Sequence, residues 1–89
     1  MAAYSRREFR RQIGARLRAL RRQAGITSQE ELAALAGVHR TYVGRLERGE
    51  SGITVDTLAT VLSAMSLSLA DFFRSFTDVT RVKTPRQRE

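Results

Sequence analysis

The sequence predicts an all-α fold, a compact bundle of five helices. Apolar residues recur at three- and four-residue spacing through most of the chain, which is the period of an amphipathic helix. A serine or threonine, the preferred N-terminal cap, precedes four of the five periodic stretches. Only one proline occurs in 89 residues, and 42% of the residues are hydrophobic. These features together indicate a small helical domain with a modest core.

The first helix is predicted from about Arg6 to just before Gly25. Ser5 and Glu8 have the spacing of a capping box, in which each side chain bonds the other residue's backbone N–H. Its apolar face carries Phe9, Ile13, Leu17, Leu20 and Ala24. The opposite face carries Arg7, Arg11, Arg18 and Arg22. These arginines can approach DNA phosphates, or they can form a merely solvated face.

Residues 28–49 predict two helices joined by a tight turn, and the rest of the chain is organised around them. Ser28 and Glu31 form a second capping box at the start of the first of these helices. Gly37 can adopt the left-handed conformation that ends a helix. The chain then starts the next helix at His39 or a neighbouring residue.

The second of these two helices has two different faces. At 100° per residue, one face is mostly apolar and carries Tyr42, Val43, Leu46 and Glu47. The other face carries Arg40, Thr41, Gly44, Arg45 and Arg48. Arginine can donate two hydrogen bonds to guanine, and threonine can contact a thymine methyl group or a phosphate. The second face is therefore predicted to be exposed and to match the major groove of DNA.

Two further helices and a tail complete the chain. Thr54 caps the fourth helix, whose predicted core residues are Val55, Leu58, Ala59, Val61, Leu62 and Met65. Ser68 caps a short fifth helix. Residues 1–76 are predicted to form the DNA-binding domain, and residues 77–89 a flexible basic tail because they lack periodicity.

The last helix holds more apolar side chains than one short terminal helix needs. They are Leu67, Leu69, Phe72, Phe73 and Phe76. Some of them are predicted to pair with a second copy of the chain across a two-fold axis.

The net charge of +7 is unevenly distributed. Residues 1–25 hold eight arginines and one glutamate (+7), residues 26–76 four arginines and six acidic residues (−2), and residues 77–89 four basic and two acidic residues (+2). Uneven positive charge favours a polyanionic partner, although a solvated surface is the alternative. With no cysteine and one histidine, neither a metal site nor a cofactor is expected. No catalytic set of side chains is evident, so an enzyme is not expected.

The sequence does not indicate a membrane-spanning protein. No apolar run approaches the roughly 20 residues that a spanning helix needs, and the N-terminus lacks a hydrophobic signal segment. A cytoplasmic location, on the nucleoid when DNA is bound, is therefore expected.

Residues 13–73 resemble the helix-turn-helix of the Cro/C1 repressor family, also called XRE-like. The resemblance rests on Ser28-Gln29-Glu30-Glu31-Leu32-Ala33, on Ala36-Gly37-Val38, and on Arg40-Thr41-Tyr42-Val43 through Leu46-Glu47-Arg48-Gly49. It implies a lambda-repressor-like fold, a homodimer and binding to double-stranded operator DNA. The Arg-Thr-Tyr and Asp-Phe-Phe segments further resemble the small controller proteins of restriction–modification operons. Serine at position 66, where the family favours glycine, is a departure at the end of the fourth helix.

The resemblance and the helix faces together suggest roles for individual residues. Base contacts are expected from Arg40, Thr41 and Arg45. Backbone contacts, or contacts of unassigned type, are expected from Arg22, Ser28, Gln29, His39, Tyr42, Gly44 and Arg48. His39 can contact DNA, cap the helix or simply lie at the surface. Glu30 and Glu31 would repel DNA, so both are expected to turn aside.

One predicted contact is structural. Arg21 lies beside the apolar face of the first helix, and in the resembled family this position pairs with the glutamate that aligns with Glu47. Both residues point inward at their helical phases. An ion pair between Arg21 and Glu47 is therefore predicted to fix the angle between the first and third helices.

The predicted function is sequence-specific binding to double-stranded DNA. The chain would regulate transcription, as a repressor for example, by occupying a pseudo-palindromic operator as a homodimer. Two alternatives stay open. One is an antitoxin-like or accessory DNA-binding protein whose main role is to bind a partner. The other is a peripheral membrane protein that uses the arginine-rich first helix.

Overall fold

The structure, a computed structural model, describes residues 5–74 and residue 76, and these residues form five α-helices. In chain order they are α1 (Arg6–Gln23), α2 (Gln29–Ala36), α3 (Arg40–Glu47), α4 (Val55–Ser63) and α5 (Leu69–Phe73). The predicted all-α fold of five helices is therefore confirmed. Residues 1–4 and the predicted tail at residues 77–89 lie outside the described residues.

Each helix begins at a side chain that accepts a hydrogen bond from a backbone N–H of the first turn. These capping residues are Ser5, Ser28, His39, Thr54 and Ser68. The predicted capping boxes at Ser5 and Ser28 form only in part. Glu8 turns to Arg11 and Gln12 instead, and the Glu31 carboxylate accepts from the Thr27 N–H at 3.2 Å.

The helices enclose one hydrophobic core. Its largest fully buried side chains are Phe72, Leu17, Leu32, Leu46, Leu62, Val43 and Val61. Val55, which the sequence assigned to the core, is 67% exposed because it is the first residue of α4 and faces outward. Phe72, which was expected on a dimer surface, is 0% exposed and belongs to the protomer's own core.

Gly14 marks the point where α1 crosses the end of α3. A methyl group at this position would lie 2.3 Å from the carbonyl oxygen of Leu46 and 2.6 Å from that of Glu47. These distances are too short for any side chain, so the two backbones are in direct contact. The closeness of this crossing fixes where α3 lies against α1.

A residue in the left-handed conformation follows both α2 and α4, but it is a different residue type in each case. Gly37 (φ 74°) follows α2 in the left-handed region, and the Val38 N–H closes the turn onto the Ala33 carbonyl at 3.0 Å. After α4 the left-handed residue is Ser66 (φ 58°), with the Leu67 N–H bonded to the Leu62 carbonyl at 3.0 Å. A serine side chain is strained in this conformation, whereas glycine is not.

Replacing Ser66 with glycine should therefore stabilise the protein. Relief of the left-handed strain should outweigh the added flexibility of the unfolded chain, for a net gain of about 1 kcal/mol. Denaturant unfolding measures the change. Ser66→Ala, which keeps the Cβ atom, is the control and should give no gain, and an equal gain from both substitutions would contradict this explanation.

Candidate nucleic-acid interface

A buried ion pair connects α1 to the end of α3. Arg21 Nε lies 2.7 Å from Glu47 Oε2, and Arg21 Nη2 lies 3.1 Å from Glu47 Oε1. The two residues are only 4% and 5% exposed. Arg21 Nη1 also donates to the Ile26 carbonyl at 3.0 Å, so the same guanidinium holds the segment between α1 and α2. The side chains whose phases predicted an inward-facing pair thus meet in a two-point contact.

Two further donors reach the Glu47 carboxylate. Gln29 Nε2, on the first residue of α2, donates to Oε1 at 3.0 Å. Arg18 Nε lies 3.4 Å from the same oxygen. Arg18 is half-buried, with 40% of its side chain exposed, and it contacts Glu47 in addition to solvent. Glu47 therefore joins α1, α2 and α3 at one point.

These donors keep Glu47 charged although it is buried. Burial acts to raise the pKa of Glu47, but hydrogen bonds from Arg21 and then Gln29, with the charge of Arg21, outweigh it. The pKa of Glu47 is consequently lowered from its ordinary value. A buried carboxylate with this many charged and polar partners is satisfied, which is the condition under which buried charge is tolerated.

An open depression of about 420 Å³ lies between the start of α2 and the exposed side of α3. Its lining residues are Ser28, Gln29, Glu30, Arg40, Thr41, Gly44 and Arg48. Six of these seven residues were singled out from the sequence as candidates for DNA contact, and the fold brings them together. Arg45 is exposed on α3, and Arg22 is exposed near the end of α1; neither is among the described residues that line the depression.

Gly44 lies on the same side of α3 as Arg40, Thr41 and Arg48, as the helical wheel predicted, but it is buried rather than exposed. A Cβ atom at this position would lie 2.9 Å from Gln29 Oε1 and 3.1 Å from Arg48 Nη1. The close approach that this glycine permits is therefore to the neighbouring side chains of the same chain. It forms the floor of the depression and lets Gln29 lie across α3.

Glu30 does not turn aside as expected. Its Oε2 atom accepts from Arg40 Nη1 at 2.8 Å, and both side chains remain about two-thirds exposed. Arg48 forms a similar exposed pair with Glu50, through contacts of 2.9 and 3.2 Å. Two of the arginines expected to contact DNA are thus already paired with carboxylates of the same chain.

His39 directly precedes α3, and Tyr42 lies within its first turn. His39 Nδ1 accepts from the Thr41 N–H at 3.1 Å, so this side chain caps the helix. Tyr42 is half-buried and packs against the core. Burial raises the pKa of the Tyr42 hydroxyl, and the nearby Thr57 side chain on α4 acts weakly in the opposite direction.

Sequence reasoning did not identify the arginine that holds α5. Arg16 Nε donates to the Phe72 carbonyl at 3.2 Å, and Arg16 Nη2 donates to the Asp71 carbonyl at 3.3 Å. Carbonyl groups near a helix end carry partial negative charge, which a guanidinium satisfies. The partner carbonyls lie 55 and 56 residues away along the chain. No local pattern could therefore have indicated this contact.

Two helices at a tight turn, with the second anchored inside by a buried carboxylate and presenting arginine and threonine outside, define a helix-turn-helix DNA-binding protein. Residues 17–72 match the Helix-turn-helix family HTH_3. The chain therefore belongs to this family of DNA-binding transcriptional regulators.

The chain is similar to two proteins that are named as control proteins. It is 45% identical over 42 residues to "Control protein C.SmaI" of Serratia marcescens, a match that covers 47% of this chain and 50% of that protein. It is 30% identical over 59 residues to "Control protein C.BamHI" of Bacillus amyloliquefaciens, covering 66% and 73%. The chain thus spans about half the length of C.SmaI and about three-quarters of that of C.BamHI.

A solved structure of similar fold is the restriction-modification controller protein C.AhdI from Aeromonas hydrophila. The TM-score is 0.70 with 33% sequence identity, and the match covers 74% of this chain and 98% of that chain. Among the described residues, no helix is long and apolar enough to cross a membrane.

Replacing Glu47 with alanine should destabilise the fold by about 3–5 kcal/mol, because Arg21 would be left buried without its partner charge. Denaturant unfolding measures this loss. Glu50→Ala is the control, since it removes an exposed carboxylate from the same region and should leave the free energy of unfolding nearly unchanged. Equal stability of Glu47→Ala and the parent would contradict the structural role of Glu47.

The stability provided by Glu47 should depend on pH. Since its pKa is lowered in the folded state, its contribution is complete above the pKa of an ordinary glutamate, about 4.3, and is lost as the pH falls through the lowered folded value. The difference in unfolding free energy between the parent and Glu47→Ala should therefore be constant near neutral pH and narrow below about pH 4. If the difference in unfolding free energy between the parent and Glu47→Ala widened on acidification, the pKa of Glu47 would not be lowered in the folded state.

Proposed function

We propose that this protein is a sequence-specific regulator of transcription that acts by occupying double-stranded operator DNA. The observation that carries the proposal is the depression at the start of α2 and α3. It combines two guanidinium groups, a threonine, a glutamine and the N-terminus of α2 on one exposed surface. Guanidinium and hydroxyl groups contact base edges and phosphates, and a helix N-terminus attracts a phosphate.

Within this surface, we assign base contacts to the first part of α3 and backbone contacts to its margins. Arg40, Thr41 and Arg45 are exposed on α3, the helix that enters the major groove in proteins of this architecture. Arg48 caps the end of α3, where it is suited to a phosphate. Gln29 at the start of α2 keeps one amide hydrogen for a phosphate, since only the other is used for Glu47.

The regulated target is proposed to be a restriction–modification operon. C.SmaI and C.BamHI are named as control proteins, and C.AhdI is named as a restriction-modification controller. A regulator of such an operon would act in the bacterial cytoplasm, on the nucleoid. A peripheral membrane role has less support, because the apolar face of α1 that it would need is buried in the core at Ile13, Leu17 and Leu20.

The protein is further proposed to act as a homodimer. Phe73 is 37% exposed and Val55 67% exposed, and both line an apolar cavity of about 250 Å³ between α1, α4 and α5. Exposed apolar side chains next to an open cavity are suited to a self-complementary interface. Leu67, Leu69 and Phe76 are half-buried against the protomer's own core and would contribute only their outer edges.

Base-contacting and phosphate-contacting arginines should respond differently to substitution. Arg40→Ala and Arg45→Ala should each weaken binding to the preferred DNA site by about 1–3 kcal/mol and reduce base preference at one position per half-site. Arg22→Ala on α1 should weaken binding to preferred and scrambled DNA about equally, and it should make the salt dependence of the affinity shallower. Competitive binding to both DNAs across a salt series distinguishes these effects. The specificity ratio is the affinity for the preferred site divided by the affinity for scrambled or random DNA. If the Arg40 and Arg45 variants both kept the parent's specificity ratio, α3 would not be the helix that recognises sequence.

The dimer surface can be tested with two apolar residues of similar exposure, Val55 (67%) and Leu35 (57%). Val55→Lys should raise the dissociation constant of the dimer at least tenfold, since it removes an apolar contact from both halves of the interface. Leu35→Lys is the matched control, because Leu35 is 57% exposed on α2 but does not line the cavity. Sedimentation equilibrium measures both constants. A monomeric parent at high concentration, or equal effects of the two variants, would contradict the proposed interface.

A further inference from the structure

The exposed pair between Glu30 and Arg40 links the first turn of α2 to the first turn of α3. Arg40 Nη1 lies 2.8 Å from Glu30 Oε2, and both residues line the depression proposed to receive DNA. A carboxylate at a DNA-binding surface repels phosphate, and it neutralises the arginine that it touches. The dipole of α2 favours a carboxylate in its first turn, and Glu31 lies in the same turn without this contact to Arg40.

We propose that Glu30 is a specificity-determining residue that suppresses binding to non-operator DNA by holding Arg40. This inference rests on the function proposed above. Specificity is a difference between two affinities, and it increases when the wrong complex is weakened. Glu30 weakens the wrong complex more than the right one.

On random DNA, Arg40 can contribute only by reaching a phosphate. Whether Arg40 keeps or leaves Glu30, that phosphate lies close to the Glu30 carboxylate and the two negative charges repel each other, whereas a guanine edge carries no net charge. Non-specific binding depends almost entirely on such phosphate contacts, so the loss of one cation affects it directly.

At the preferred site, Arg40 can keep its contact with Glu30. Guanidinium has five N–H donors, and the bond from Nη1 to Glu30 leaves donors for the two acceptors of a guanine edge. The carboxylate also restricts the rotation of the guanidinium, so less conformational freedom is lost on binding. Glu30 therefore acts on Arg40 as a positioning residue.

The neighbouring carboxylates differ from Glu30 in their contacts. Glu31 accepts from the Thr27 backbone N–H at 3.2 Å, and no ion pair to it is found among residues 5–74 and 76. Glu50 pairs with Arg48, for which a phosphate contact is proposed. A phosphate contact forms on preferred and random DNA alike, so Glu50 is expected to affect both affinities to the same degree.

Glu30→Gln tests the proposal, with Glu31→Gln as the matched control. Both substitutions remove one negative charge from the first turn of α2. Glu30→Gln should strengthen binding to random DNA about two- to fivefold, as expected for release of an exposed ion pair. The plot of log affinity for random DNA against log salt concentration should become steeper by about 0.9, the value for one additional phosphate contact. Affinity for the preferred site should stay the same or fall, so the specificity ratio decreases. Glu31→Gln should leave the ratio unchanged.

The same substitution in the Arg40→Ala background completes the test. Without Arg40, Glu30→Gln should no longer change the ratio, because the two residues act as a pair. Thermal unfolding of each variant serves to establish that the fold is retained. The inference would be overturned if Glu30→Gln left the specificity ratio unchanged. It would also be overturned if Glu31→Gln lowered the ratio equally, or if Glu30→Gln lowered it equally in the Arg40→Ala background. A parent protein that prefers no DNA sequence would instead overturn the proposed function, and this inference with it.

Discussion

The buried carboxylate of Glu47 is the interaction on which the arrangement of the first three helices depends. It accepts from Arg21 on α1 and from Gln29 on α2, while it is itself part of α3. The backbone contact at Gly14 allows α1 and α3 to approach closely enough for the pair to form. Because the contact with Arg21 has two points, it fixes direction as well as distance. The exposed face of α3 is therefore oriented by an interaction inside the protein.

The same carboxylate connects stability to the DNA-binding surface. Gln29 bonds Glu47 through its amide nitrogen and covers Gly44 with its amide oxygen, so it belongs to both the interior and the depression. Outside, Glu30 holds Arg40, a residue proposed to contact bases. Carboxylates thus act twice on this surface. Glu47, which is buried, sets the geometry of α3. Glu30, which is exposed, is proposed to limit the non-specific attraction of Arg40 to DNA.

Much of the fold could be predicted from the sequence because its determinants are local. Ser28 and Thr54 mark helix starts and Gly37 marks a helix end within a few residues of the groups that they bond. The phases of Arg21 and Glu47 likewise followed from helical geometry, once the resemblance had suggested the pair. The determinants that could not be predicted depend on contacts between distant segments. A helical wheel finds the side of α3 on which Gly44 lies, but it cannot show that Gln29 of the neighbouring helix covers this glycine.

Selection of bound sites from a random DNA pool tests most directly whether α3 recognises a DNA sequence. If it does, the selected pool should be enriched in a pseudo-palindromic sequence. Its two half-sites should be about 34 Å apart, one turn of the duplex, as required for two copies of α3 related by a two-fold axis. Guanines should recur within each half-site, since Arg40 and Arg45 are proposed to contact the bases. A pool that remained random after repeated selection at physiological salt would contradict the proposal that α3 recognises a DNA sequence.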